Sequence, residues 1–377
     1  MRTAITLVML TLSGLLAGCA SQSPIGAYYT TGAFDRVAQR FGEQGQGYDS
    51  LDLQDLYRLC ESYLQVRNLG AFEDCLPVLR KRLAESGGKL PDPRWVSKES
   101  VNVRNEPYTQ HTLLQLEAEA ATIVGDYSRA RALAGHALAL TQGDALFELE
   151  EPFSAGSLFV GITSLGTANL ARGAAMKNQA RQTTAVSAIV PLGIIAVADA
   201  SSGDREGARS ALEKIATIDV SGSTSSYFAP QRQLWLAKGR MSLGDYRGAL
   251  DAMTATVPKS AFARAFQAFT GSVVAVAGDF GKVDGKSISQ SDTLFALNFE
   301  PRFMLYRAQL ETGDYASAQR GYDEVLAEPR LRAFGNVYYL ALHGRGRVAA
   351  MQGNLPEAVS YYERAVDEIE LQRSTIG

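Results

Sequence analysis

The fold is decided by one stretch near the end of the chain, which reads Met351-Gln352-Gly353-Asn354-Leu355-Pro356-Glu357-Ala358-Val359-Ser360-Tyr361-Tyr362-Glu363-Arg364-Ala365-Val366. Gly353 supplies the permissive backbone of a tight turn, and Asn354 is suited to cap the helix that follows. Ala358, Tyr362 and Ala365 recur at i, i+4 and i+7, the spacing of one helix face. The stretch therefore predicts a turn that opens an amphipathic helix.

The same turn recurs along the chain. A glycine followed by an acidic residue, and in most copies by an aromatic one, comes before an alanine in the next helix at Gly125, Gly203, Gly244 and Gly313. Weaker copies, with other small or apolar residues in these places, begin at Gly70, Gly166 and Gly278. Gly244, Gly278 and Gly313 are separated by 34 and 35 residues.

This pattern strongly resembles the tetratricopeptide repeat (TPR) family, whose period is about 34 residues and whose helices are joined by a Gly-Asp-Tyr turn. The resemblance implies an all-α fold, a TPR-like α-solenoid of seven or eight helical hairpins over residues 49–372. The alternative is a set of unrelated helical hairpins with glycine turns, which is also all-α. Residues 281–288 alternate around an Asp-Gly pair and predict a short β-hairpin-like excursion. The apolar run 183–198 is short for a transmembrane helix and is interpreted as a buried helix.

Composition and charge exclude several classes. The hydrophobic content of 46% and the charged content of 20% are ordinary for a soluble globular protein, so the chain is neither disordered nor polytopic. The net charge of −3 and the lack of a Lys/Arg-rich run give no general attraction to nucleic acid. His111, His136 and His343 are far apart and lack partners at metal-ligand spacing. We therefore expect neither a metal nor a cofactor, and a binding protein rather than an enzyme.

The first residues resemble a bacterial lipoprotein signal. A basic start is followed by an apolar stretch from Ala4 to Leu16, and then by Leu16-Ala17-Gly18-Cys19, which is similar to a lipobox. The resemblance implies a signal peptide over 1–18, acylation of Cys19 including palmitate, and a membrane tether over 19–48 with one short helix around 34–41. Because Ala20 rather than Asp follows the cysteine, it also implies a periplasm-facing lipoprotein of the outer membrane.

Two further cysteines would lie in an oxidising compartment. Cys60 and Cys75 fall on the two predicted helices of the first hairpin, which spans about 51–84. A disulfide between them would close a loop of about 15 residues and contribute roughly 3 kcal/mol in the chain-entropy model. The alternative is a pair of buried thiols, since free cysteine packs well between helices. The spacing leaves both open.

A row of cations is the strongest candidate site. In the TPR family the first helix of each repeat lines a concave groove, and the residue six before the turn glycine points into it. The matching positions in this chain are Lys238, Arg307 and Arg347, and His343 lies one helical turn before Arg347. Such a row suits an acidic peptide or another carboxylate-bearing partner, because arginine holds carboxylates bidentately. The alternative is that these charges are paired with Glu300 or Glu311.

The resemblance supports two functions. The first is a protein–protein interaction scaffold, anchored in the outer membrane and facing the periplasm, that binds its partner in the groove. The second follows from residues 365–376, which resemble the helix joining TPR arrays to caspase-like CHAT domains. It makes the chain the substrate-recognition part of a CHAT-type protease system whose catalytic domain is absent from this chain. Partner, pathway and oligomeric state cannot be read from these residues.

Overall fold

The structure is a computed structural model that describes residues 23–30, 34–45, 47–87, 102–103, 105–142, 147–148, 185–220, 225–256, 282–283, 286–287, 290–328, 331–332 and 337–376. Within these ranges the protein is all-α, with two antiparallel ladders of two residues per strand. Asn102–Val103 (β1) pairs with Phe147–Glu148 (β2), and Lys282–Val283 (β3) pairs with Lys286–Ser287 (β4). Residues 284–285 lie outside the described ranges, so the predicted excursion at 281–288 stays a prediction.

The helices follow one another as hairpins. In chain order they are α1 Pro24–Thr30, α2 Phe34–Gln44, α3 Leu53–Gln65, α4 Leu69–Glu85, α5 Asn105–Val124, α6 Tyr127–Leu140, α7 Ile189–Ser201, α8 Arg205–Thr217, α9 Ser225–Leu243, α10 Tyr246–Thr256, α11 Gln290–Glu311, α12 Tyr315–Leu326, α13 Val337–Met351 and α14 Leu355–Ile376. A 3₁₀ turn, Tyr48–Ser50, precedes α3.

Glycine turns join the helices of most hairpins. A left-handed backbone, with φ between +77° and +91°, occurs at Gly125, Gly203, Gly244, Gly313 and Gly353. Glycine adopts this conformation without the steric cost that a Cβ would add. The residue after each glycine then caps the next helix, since its side-chain oxygen accepts a hydrogen bond from the backbone N–H three residues on. The turns predicted at these five glycines are confirmed.

The first hairpin departs from the prediction. Gly70 lies inside α4, and the left-handed residue is Arg67, with φ +63°. Asn68 caps α4 by accepting a hydrogen bond from the Ala71 N–H at 3.3 Å. The turn therefore lies three residues before the predicted one, where a search for glycine passes over it. The turns predicted at Gly166 and Gly278 lie outside the described residues, and the total of seven or eight hairpins stays a prediction.

Each hairpin packs on the next one. The first helices of successive hairpins are in contact, α3 with α5, α5 with α7, α7 with α9, α9 with α11 and α11 with α13. The second helices α6, α8, α10 and α12 each also contact the first helix of the following hairpin. Small residues make this close approach possible, and Ala130, Ala134 and Ala137 of α6 are fully buried. The first helices thus form one continuous inner layer.

The apolar run 183–198, predicted to be a buried helix, overlaps α7 over residues 189–198. Ile189, Leu192 and Ile194 are buried in the core that α5 to α11 share. Burial of such a side chain contributes about 1.5–3 kcal/mol. Among the described residues, no helix is both long enough and apolar enough to cross a bilayer.

The segment predicted as a tether begins the packed structure. Ile25 and Tyr29 of α1 and Val37 of α2 are buried in the core of the first hairpin. The described parts of the predicted tether over 19–48 therefore consist mainly of helices packed against the array, and the short helix predicted around 34–41 lies within α2. Cys19 and the predicted signal peptide over 1–18 lie outside the described residues.

The structure joins Cys60 of α3 to Cys75 of α4 by a disulfide bond, with a Cα–Cα distance of 5.6 Å. Both residues are fully buried. Of the two alternatives open from the sequence, the structure has the bridge.

The array curves until its two ends meet. Val66, at the end of α3, is buried in the core formed by α11 to α14, together with Phe303 and Val337. The adjacent Arg67 forms an ion pair with Glu300 of α11, with Nη2 and Oε1 3.3 Å apart. Arg67 and Glu300 both line a cavity, and the first helices form its wall.

Candidate functional site

The site is built from one position that recurs in each hairpin. We call the residues six before the turn residue the inner-slot residues, and they are Glu61, Glu119, Val197, Lys238, Arg307 and Arg347. Among the hairpins that the structure describes, they divide by charge, with acids in the first two, valine in the third, and cations in the last three. The inner layer is therefore acidic at one end and basic at the other.

A cavity of about 400 Å³ lies at the centre of this layer. The inner-slot residues Glu119, Val197, Lys238 and Arg307 line it. Much of the remaining wall is apolar and comes from separate hairpins, including Phe34, Leu64, Ile123, Met241, Phe303, Met304 and Leu340. This volume and a mostly apolar wall with a few convergent charges are typical of ligand pockets.

Lys238 is the centre of an internal charge cluster. Its ammonium lies 2.5 Å from Glu300 Oε1 and 4.3 Å from the centroid of the Trp235 ring. Glu300 also forms an ion pair with Arg67, so one carboxylate contacts two cations. Burial alone would raise the pKa of Glu300, yet the ammonium and the guanidinium together lower it. Lys238 is thus neutralised from within the protein.

Glu119 carries the opposite electrostatic character. Burial raises the pKa of its carboxyl group to about 7, although the Lys238 ammonium and the hydrogen bond from Gln115 act in the other direction. The Gln115 amide donates that bond from Nε2 to Oε1 at 3.2 Å. Glu300 and Glu61 add like charge and raise the pKa further. The Glu119 carboxyl group in the cavity therefore has a pKa close to neutral pH.

Arg307 borders two cavities. A smaller one, of about 180 Å³, adjoins the first, and Arg307 lines it together with His343 and Arg347. Arg347 is held by Glu311 in a bidentate ion pair, with N–O distances of 2.6 and 3.1 Å, and this raises the pKa of Arg347. Arg307 itself is exposed and makes no hydrogen bond or ion pair within the described part of the chain. Among the three inner-slot cations, Arg307 is therefore the one whose charge is not paired with a carboxylate in the described part of the chain.

His343 faces the same small cavity. Its ring lies 5.6 Å from the Tyr362 ring. Burial, followed by the positive charges of Arg347 and Arg307, lowers the pKa of His343. The imidazole therefore adds less positive charge to the row than an ordinary histidine side chain would.

The structure brings the predicted groove residues together in two groups. Lys238 and Arg307 share the large cavity, and Arg307, His343 and Arg347 share the small one. Two of these cations are nevertheless not free for a ligand. The structure contains the alternative pairing, in which Lys238 binds Glu300 and Arg347 binds Glu311.

Sequence reasoning missed three residues of the site. Glu119 obeys the same six-residue rule, counted from Gly125, and applying the rule to every turn would have found it. Trp235 lies three residues before Lys238, on the same helix face. Arg67 has no comparable signal, since its role depends on contact between the two ends of the array.

Across the ranges that the structure describes, no three or more His, Cys, Asp or Glu side chains are grouped so as to hold a metal ion. No protein-family model matches the chain, and no curated protein is similar to it. The fold and the cavity are therefore the basis for a functional assignment.

Proposed function

We propose that the protein is a TPR-like solenoid that acts as a binding scaffold, and that its ligand is a peptide segment of a partner protein with an apolar side chain and a carboxylate. The apolar side chain enters the large cavity, and the carboxylate pairs with Arg307. The hairpin-to-hairpin packing and the glycine turns support the solenoid, and the cavity supports the ligand class.

Arg307 is the observation that carries this proposal. An arginine that borders a cavity, with no counter-charge among the described residues, is suited to bind an anion, since its planar guanidinium can donate two parallel hydrogen bonds to a carboxylate. The neighbouring cations Lys238 and Arg347 are already neutralised, so the ligand gains one focused contact rather than a diffuse one. Phe303 and Leu340 line both cavities beside Arg307 and offer apolar contact next to the charge.

The acidic end of the inner layer sets the orientation of the ligand. Glu61 and the ionised fraction of Glu119 disfavour a carboxylate near the first hairpins, which leaves Arg307 as its place. The apolar part of the ligand then extends toward Trp235 and Met241. Desolvation of these walls supplies affinity, and the charge supplies direction and specificity.

We further propose that the scaffold is a lipoprotein anchored through Cys19 in the outer membrane and facing the periplasm. The lipobox-like Leu16-Ala17-Gly18-Cys19 supports this anchor. A disulfide between Cys60 and Cys75 agrees with an oxidising compartment.

Tryptophan fluorescence provides a direct test. The chain has two tryptophans, and a Trp95→Phe background leaves Trp235 as the reporter within the cavity. The probes are octapeptides with an apolar last residue and a free C-terminal carboxylate, each paired with its amidated form. We expect saturable changes in Trp235 emission with the carboxylate peptides, and about tenfold weaker binding of the amidated forms, which corresponds to roughly 1.4 kcal/mol.

The matched variants are Arg307→Glu and Arg320→Glu. Arg320 is also exposed, but it lies on α12 outside both cavities and contacts Ser317. Arg307→Glu should abolish the preference for the free carboxylate, and Arg320→Glu should leave it intact. Equal binding of free and amidated peptides, or equal loss in both variants, would place the anion elsewhere.

A further inference from the structure

Exposed apolar side chains are concentrated on the last hairpin. Among the described residues, the large hydrophobics with the greatest exposure on α13 and α14 are Met351, Leu355, Val359, Val366 and Leu371, whereas the rest of the described chain exposes Val124 and Tyr246 in this way. Leu355, Val359 and Val366 are separated by four and seven residues, which places them on one face of α14. We call these three residues the α14 stripe.

In the preceding hairpin, the next helix covers the equivalent face of α12. The turns at Gly313 and Gly353 put α12 and α14 in register with an offset of 40 residues. The stripe residues Leu355 and Val366 then correspond to Tyr315 and Leu326 of α12. Tyr315 and Leu326 are partly buried against the core that includes α13, which packs on α12. Leu355 and Val366 remain 63% and 56% exposed.

The charge pattern follows the same register. Arg345 of α13 crosses to α12 and pairs with Asp323, with Nε and Oδ1 3.0 Å apart. The residue of α14 that corresponds to Asp323 is Glu363. Glu363 is exposed and forms no ion pair within the described residues. The last hairpin thus repeats two apolar positions and the acid of α12, and adds Val359 where α12 has Gln319, without a covering helix in the part of the chain that the structure describes.

A glycine completes the equivalence. Gly344 of α13 lies against the Tyr322 ring, and a Cβ at this position would overlap the ring. Tyr322 is only 1% exposed as a result of this and other contacts, while the corresponding Tyr362 of α14 is half-buried. A helix that covers α14 in the same way therefore needs a small residue next to its basic residue.

The charges disfavour a second copy of α14 as the occupant. Glu363 and Asp367, which border the stripe, are both acidic and exposed, and two such faces would bring like charges together. Arg364 does not offset them. It stacks on the Tyr361 ring at 5.1 Å and, at about 100° per residue, lies roughly 150° around the helix from the stripe.

We propose that the α14 stripe docks an amphipathic helix of a second protein, with a small residue over Tyr362 and an adjacent basic residue paired with Glu363. This surface is separate from the inner cavity, and it gives the scaffold a second binding site. Its occupant resembles α13 in chemistry, because α13 covers the equivalent face of α12.

A synthetic α13 helix is the probe. The peptide has the sequence of Val337–Met351, a fluorescein label, and a hydrocarbon staple that replaces His343 and Arg347, two of the residues that line the small cavity. The staple keeps the peptide helical and leaves Gly344 and Arg345 intact. Fluorescence anisotropy with the full chain should show saturable binding.

Three variants of exposed residues test the contact. Val359→Glu should weaken peptide binding by at least about tenfold, and the control Val124→Glu, which changes a residue 61% exposed on α5, should not. Glu363→Lys should weaken the wild-type peptide and restore binding of a peptide carrying Arg345→Glu. Circular dichroism and thermal melting confirm that each variant is folded.

Three results would overturn the proposal. The first is absence of saturable peptide binding to the wild-type chain. The second is equal binding by Val359→Glu and wild type, or failure of the reciprocal charge exchange to restore binding. The third is a dimer of the free chain, seen by multi-angle light scattering, that Val359→Glu dissociates, since a second copy would then be the occupant.

Discussion

Arg67 and Glu300 are separated by 233 residues and form an ion pair at 3.3 Å between the first and the fifth described hairpin. Beside it, Val66 is buried in the core of α11 to α14 and is only 3% exposed. Two contacts of different kinds therefore close the array. Their magnitudes differ, because a partly exposed ion pair contributes about 0–1 kcal/mol, whereas full burial of a valine contributes about 1.5–3 kcal/mol.

The first prediction separates these contacts. Arg67→Gly removes the ion pair but also relieves a left-handed backbone that costs a non-glycine residue about 1–2 kcal/mol. We expect its free energy of unfolding to stay within about 1 kcal/mol of wild type. Val66→Asp places a charge in an apolar core and should open the array. Small-angle scattering would then show a larger radius of gyration for Val66→Asp only. An opened Arg67→Gly variant would assign closure to the ion pair instead.

This closure marks the limit of what the sequence could predict. The turns at Gly125, Gly203, Gly244, Gly313 and Gly353 are local events, in which a glycine and a capping side chain act within a few residues, so their pattern is readable. The contact of Val66 with α11 to α14 depends on small rotations that accumulate over all the hairpins between them. No short stretch of sequence encodes that sum.

The candidate site shows the same division. The inner slot is a local periodicity, and it correctly placed Lys238, Arg307 and Arg347 along the cavities. The pairing of Lys238 with Glu300 and of Arg347 with Glu311 joins different helices, and the sequence left it as an alternative. The turn at Arg67 was missed because left-handed backbone at an arginine is uncommon and leaves no compositional mark.

The second prediction concerns pH. The pKa of Glu119 is raised from 4.5 to about 7 in the folded protein, so between these values the folded state holds a proton that the unfolded state has lost. Stability should therefore fall as pH rises from about 4.5 to 7, by at most about 3 kcal/mol. Glu119→Gln cannot ionise and should lose this dependence. Urea unfolding of both proteins at pH 5 and pH 8 measures the difference.

His111 makes this comparison between variants necessary. Burial lowers the pKa of His111 from 6.5 to about 4, so the unfolded state binds the extra proton and stability falls as pH drops through this range. The two groups oppose each other between about pH 4.5 and 6.5, and the wild-type profile alone can look flat. Only the difference between wild type and Glu119→Gln isolates the carboxyl group. A difference that does not change with pH would show that Glu119 titrates normally.

The third prediction concerns the disulfide. Cys60 and Cys75 close a loop with a sequence separation of 15. In the chain-entropy model this restricts the unfolded state and contributes about 3 kcal/mol. The double variant Cys60→Ala/Cys75→Ala should unfold at a correspondingly lower denaturant concentration. On reduction, the wild type should unfold at nearly the same denaturant concentration as the variant. The unfolding of the variant should not change with reductant. Identical unfolding of wild type and variant under oxidising conditions would contradict the bridge.

The fourth prediction concerns the anchor. If Cys19 is the acylated residue, Cys19→Ser should leave the protein unacylated, and it should then lose its membrane fractionation. Intact mass and sodium carbonate extraction of the envelope measure both effects. Cys60→Ala is the matched cysteine control, because it should keep the acyl mass and the membrane fraction. Unchanged mass and fractionation in Cys19→Ser would remove the basis for an outer-membrane lipoprotein.

The last prediction uses the paired cation beside Arg307. Glu311→Gln removes the carboxylate that holds Arg347 in a bidentate contact, and leaves two uncompensated guanidinium groups on the small cavity. A carboxylate-bearing peptide should then bind more tightly, by up to about fivefold, since an exposed ion pair contributes about 0–1 kcal/mol and tenfold corresponds to about 1.4 kcal/mol. The gain should shrink in high salt, because charges are screened beyond about 8 Å at physiological ionic strength. Glu324→Gln is the control, because it frees Arg302, which lines neither cavity. Trp235 emission with the free-carboxylate peptides gives the affinities. If Glu311→Gln and Glu324→Gln bind the peptides alike, the small cavity does not receive the anion.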